Sequence, residues 1–133
     1  MDLTRLDERL ARIARIPFRA KFHLRDSESA YAASREPATI ARHAREFIDA
    51  RLAPACHAKD GRQTPWGGHP VFRAQHATAT CCRKCLENNH GIPRGHELSE
   101  GERAYVVDVL CRWIELEIRA RSTPASPPPP TLF

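Results

Sequence analysis

Apolar residues along this chain recur at helical rather than alternating intervals. Leu3, Leu6, Leu10 and Ile13 are spaced three, four and three apart, which predicts an amphipathic helix within residues 2–16 and places Arg5, Arg9 and Arg12 on another face. Pro17 ends or bends that helix. The stretch Phe18–Leu24 alternates loosely and leaves room for a short extended segment. A second helix starts at the Glu36-Pro37 step, because Pro37 fits the first turn, where a missing N–H costs nothing. Ile40, Ala44, Phe47, Ile48 and Leu52 form its core face, and Pro54 lies beyond its end. Residues 56–69 hold Gly61, Pro65, Gly67 and Gly68 and form a long loop. Pro70 opens a third helix through His76. A fourth runs from about Thr80 to Asn89, with Gly91 suited to the left-handed position past its end. Ser99 and Glu102 fit a capping box, and Val106, Val109, Leu110, Trp113 and Ile114 give the last helix its inward face. From Ser122 the chain is proline-rich and has little to bury. The expected fold class is therefore mainly α. It comprises one compact helical domain over 1–121, a long Gly/Pro loop, minor strands at most, and a disordered tail over 122–133.

Composition changes this picture in two places. No stretch approaches the roughly 20 consecutive apolar residues of a membrane span. The first ten residues lack an apolar signal core, so no membrane partner and a cytoplasmic location are expected. The net charge is +5, and eighteen of the 21 cations are arginine. Guanidinium groups fork onto phosphate oxygens, although a modest positive charge speaks first to solubility.

The chemistry concentrates in one run. Five cysteines are an odd number for a disulfide framework, and Cys81, Cys82 and Cys85 lie within five positions. Cys82 and Cys85 have the C-x-x-C spacing, His76 precedes Cys82 by six residues, and His90 follows Cys85 by five. Two cysteines with two histidines complete a tetrahedral zinc shell. The candidate ligands are His76, Cys81, Cys82, Cys85 and His90, with His69 added only if it shares a helix face with His76. Arg83 and Lys84 should lower the thiol pKa. Competing readings are inert buried thiols, a redox dithiol, and an iron–sulfur cluster that recruits Cys56 as a fourth thiolate. Cys111 falls in an apolar helical pattern and reads as a small hydrophobe.

The segments Phe18–Leu24, Thr39–Ala44, Gly68–Phe72 and Gln75–Arg83 resemble domain of unknown function 4186, a family of small bacterial proteins, over about residues 17–120. The resemblance implies no activity. It implies that His76, Cys81, Cys82, Cys85 and His90 belong to a family pattern. Asn89 departs from an aromatic residue associated with that position.

Three function classes remain open. The first is a zinc-binding module associated with nucleic acid, with phosphate contacts from Arg5, Arg9, Arg12 and Arg94, the last in a Gly91–Gly95 turn between helices. The second is a metal-dependent hydrolase with Asp60 or Glu87 as base, although no H-E-x-x-H motif is present. The third is an interaction or regulatory protein that docks a partner through its tail or an apolar helix face.

Overall fold

The computed structural model describes residues 2–55 and 60–122. The Pro-rich tail and Cys56 lie outside the described residues. Seven helices form and no strand is present among the described residues: α1 (Leu3–Ile13), α2 (Pro17–Ala20), α3 (Asp26–Ser34), α4 (Pro37–Arg51), α5 (Pro70–Ala77), α6 (Arg83–His90) and α7 (Glu100–Ser122). The mainly α class is therefore observed. No helix among them is long and apolar enough to cross a membrane.

The last helix is the mast. α1, α3, α4 and α5 all pack on α7. Val106, Leu110 and Ile114 join Ile40, Ala44 and Ile48 of α4 and Val71 and Ala74 of α5 in the main core. On another side Val109 meets Leu6 and Leu10 of α1. Two polar ties fix α1 there: Arg112 donates to both carboxylate oxygens of Asp7 at 2.8 and 2.9 Å, and Arg9 donates to Tyr105 at 2.8 Å. Leu3, read as part of the buried stripe, is 56% exposed at the first residue of α1.

Local signals set several boundaries. Pro37 and Pro70 occupy first-turn positions. Ser99 and Glu102 exchange the two hydrogen bonds of a capping box, at 2.8 and 3.1 Å. Gly91 ends α6 at φ +71. Two segments differ from expectation. Phe18–Leu24 is not extended throughout; it begins as the short helix α2, and Phe22 and Leu24 then turn inward. Helix α3 has no apolar stripe to announce it, since its buried residues are Glu28 and Ala32. Glu28 is held there by what surrounds it. Its carboxylate accepts from the backbone N–H of Arg25 at 2.9 Å and of Gly68 at 3.1 Å, and pairs with Arg73 at 3.1 Å. One buried carboxylate thus ties α3, the loop before α5, and α5 itself.

Candidate metal centre

The turn between α5 and α6 delivers the cysteines, and every residue from Ala74 to Arg83 is buried. Side chains replace regular structure inside it. Gln75 donates to the carbonyl of Thr80 at 3.1 Å, and the Thr78 hydroxyl donates to the carbonyl of Ala74 at 2.8 Å. Ala79 takes a left-handed φ of 58, unusual for a residue with a Cβ. The chain then emerges at Cys81, whose carbonyl accepts from Thr64 at 2.7 Å. Cys82 is the N-cap of α6: its Sγ accepts from the backbone N–H of Cys85 at 3.3 Å. Asp60 caps the same end through the N–H of Arg83 at 3.0 Å.

The ligand atoms of Cys81, Cys82 and Cys85 all lie within 4.8 Å of one another, so the three can hold a metal ion. Cys82 Sγ lies 3.2 Å from Cys85 Sγ. Arg19, from α2, faces them. One of its nitrogens donates to the His76 carbonyl at 2.8 Å and reaches Cys81 Sγ at 3.5 Å, while the other reaches Cys85 Sγ at 3.1 Å. The hydrogen bonds from Cys81 and Cys82, and then the Arg19 cation, lower the Cys85 pKa against the effect of burial. The same thiol contacts, with burial added, raise Cys81. The Arg19 guanidinium thus stands beside the Cys85 sulfur, where it favours the thiolate.

A family profile described as domain of unknown function DUF4186 matches residues 7–115. The chain belongs to this family. The match takes in the whole cysteine cluster of this DUF4186 protein and leaves out only the N-terminal residues through the first turn of α1 and the C-terminal end of the chain. No solved structure matches the chain.

Of the six residues proposed as ligands from sequence, the structure brings together the three cysteines, and among the described residues no imidazole or carboxylate joins them within 4.8 Å. His90 is engaged at both ring nitrogens. Its Nε2 bonds the Thr78 carbonyl at 2.7 Å and its Nδ1 meets the Tyr105 hydroxyl at 2.6 Å. Burial first, with Arg9, Arg12 and Arg19 adding to it, pushes its pKa down to about 4. The ring is thus neutral, donates from Nε2 and accepts from Tyr105. His69 is the N-cap of α5, with Nδ1 accepting from Val71 at 3.0 Å and Nε2 3.4 Å from His43. Desolvation, aided by His43, takes its pKa to about 4.

His76 is different. Its Nε2 faces the carbonyls of Thr64 and Pro65 at 3.2 and 3.0 Å, so that nitrogen carries the proton. Its Nδ1 is then a bare lone pair, buried and without a hydrogen-bond partner. The ring stacks against both Trp66 and Phe22, with centroids 4.3 and 5.5 Å away.

Three further assignments change. Arg83 was expected to lower the thiol pKa, yet it is 3% exposed and binds backbone carbonyls instead. Arg19 takes that role, and Lys84 is exposed. Glu87, one candidate base, pairs with Arg94 at 3.1 Å, and Asp60, the other, is occupied as a cap. The backbone N–H of Arg94 also bonds Glu87, at 3.0 Å, so the Gly91–Gly95 turn does not offer that donor to a phosphate. Arg19 carried no sequence signal, because only folding brings residue 19 to residues 81 and 85.

Proposed function

We propose that this DUF4186 protein is a metal-binding protein whose Cys81, Cys82 and Cys85 thiolates hold one zinc ion, with His76 Nδ1, which stands outside the cysteine group and would have to draw in, as the fourth donor. The orphaned Nδ1 carries the reading. Metal-ligating histidines present one bare nitrogen to the ion and give the other N–H to a carbonyl or carboxylate, which is the protonation His76 displays. A set of three thiolates and one imidazole suits a borderline-soft ion and matches structural zinc. Arg19 supports the same reading, since N–H groups directed at sulfur offset the surplus negative charge of such a set. Bound there, zinc would supply a rigid closed centre that fixes α2, the Thr64–Pro65 segment and the start of α6 against one another.

Elemental analysis of protein purified without chelator tests this, with one zinc per chain expected. Cys85→Ser and His76→Ala should each lose the ion or bind it far more weakly. Cys111→Ser, on α7 and outside the cluster, should remain loaded. Cobalt substitution gives a second readout: sulfur-to-cobalt charge-transfer bands should appear in the parent and weaken in Cys81→Ser. Metal-free protein, or full loading of Cys85→Ser, would refute the assignment.

The 3.2 Å Cys82–Cys85 approach at a helix start supports a second reading, a dithiol that closes to a disulfide. The two part on one measurement. A redox pair would be recovered metal-free, with two fewer titratable thiols after mild oxidation.

A further inference from the structure

The surface next to the cysteine cluster combines two features seldom found together on a small helical protein. The first is an exposed aromatic ledge. Trp66 is 62% exposed and Phe18 42% exposed, yet both are already ordered. Trp66 stacks on His76 at 4.3 Å and 17°, lies parallel to Phe22 at 6.1 Å and 6°, and meets Phe18 edge-on at 6.4 Å. An indole fixed in this way has lost its conformational freedom before any ligand arrives. The second feature is cationic. Lys21 and Arg19 sit over Phe18 at 4.4 and 4.9 Å. Three residues separate the end of α1 from the start of α2, and Arg9 of α1 reaches Tyr105, which in turn meets His90. Arg5, Arg9 and Arg12 line one shallow depression on α1, together with Glu8, its single acid.

We propose that this surface binds single-stranded nucleic acid, with unpaired bases stacking on Trp66 and Phe18 and phosphates running along Arg19, Lys21 and the Arg5–Arg12 face of α1. Aromatic platforms flanked by a basic track are how single strands are held without sequence readout, because every base has a π-face. Duplex bases are already stacked on one another and cannot reach such a ledge. An anionic membrane would use the same charges. However, the adjoining helix α2 is only four residues long, and α1 turns arginines rather than apolar side chains toward this face, so no amphipathic helix lies on it to enter a bilayer. The site borders the zinc centre at two groups: Trp66 rests on His76, and Arg19 donates to Cys81 and Cys85.

Fluorescence anisotropy of the full chain, as purified, with labelled 12-mers of thymidylate and uridylate tests the proposal at low and raised salt. Binding should weaken as salt rises, with a slope of about −0.7 per phosphate contacted, and a 12-base-pair duplex should bind less well. Trp66→Ala should weaken single-strand binding about tenfold or more, and Trp66→Phe should recover part of it. Arg5→Gln with Arg12→Gln should flatten the salt slope. No binding at low salt, equal binding by Trp66→Ala and the parent, or capture by anionic phosphatidylserine vesicles without oligonucleotide binding would each overturn it. Metal content measured on the same samples separates failure of this surface from failure of the zinc centre.

Discussion

Backbone carbonyls from two separate segments converge on the Arg83 guanidinium, Leu52, Ala53 and Pro54 at the end of α4 and Pro93 and His96 after α6. A planar fork with five donors suits such a cage, whereas an ammonium is a point charge with three. Arg83→Ala would leave several of those carbonyls buried and unpaired, and would cost about 3 kcal/mol or more. Arg83→Lys should recover only part of that. Urea unfolding of the three proteins measures the effect, and a loss below about 0.5 kcal/mol for the alanine variant would mean that the cage is replaced by water. Glu28 is a comparable case on α3, a buried charge kept ionised by a guanidinium and backbone N–H groups. In both residues a full charge organises segments that have little apolar surface of their own.

Among the elements, α6 is the one on which the candidate centre stands, and eight residues give it little intrinsic stability. Its ends are therefore held by side chains and by one glycine. Cys82 and Asp60 satisfy N–H groups at the start, and at the finish Gly91 adopts φ +71 while its N–H returns to the Glu87 carbonyl at 3.1 Å. A Cβ at Gly91 would meet open space, so steric contact with neighbours does not add to the backbone cost. Gly91→Ala should then destabilise by about 1 kcal/mol, the cost of a left-handed alanine. Thermal melts would show this, and an unchanged midpoint would mean that α6 can end in another conformation. α3 shows the opposite dependence. With Glu28 and Ala32 as its buried residues, it forms because α5, α7 and the Gly68 N–H accept it.

Across the molecule, several groups shape how stability responds to acid, His69, His90 and Glu28 among them. His69 and His90 fall from an ordinary imidazole value near 6.5 to about 4 in the fold, so they stay neutral there while the unfolded chain takes up protons. Stability is therefore full above pH 6.5 and is lost as the pH falls from 6.5 toward 4. Glu28 acts lower in the range. Burial opposes its ionisation, but Arg73 and the N–H groups of Arg25 and Gly68 outweigh burial and hold its pKa below 4.5. Its contribution is present above the ordinary carboxylate value and disappears as the pH drops through the lower folded one. The urea midpoint should thus decline between pH 7 and 4, and the decline should be shallower in His69→Asn and His90→Asn, whatever those changes cost at pH 7. A midpoint constant down to pH 5 would show that the two rings are protonated in the fold.

Sequence alone determined whatever depends on short range. The stripes of α4 and α7, the proline starts of α4 and α5, the Ser99–Glu102 box and the glycine stop of α6 are each written within a few residues, because helical periodicity and capping are local. The C-x-x-C spacing likewise sufficed to point at the cysteines. Tertiary structure decided the long-range partners of the charged and titratable side chains. It directed Arg83 to carbonyls and Arg19 to sulfur, and it tied up His90 while leaving His76 Nδ1 bare. It also formed α3 around a buried carboxylate. These outcomes depend on the distances and dielectric surroundings that arise when residues as far apart as 19 and 85 are packed together, and no local pattern in the chain encodes them.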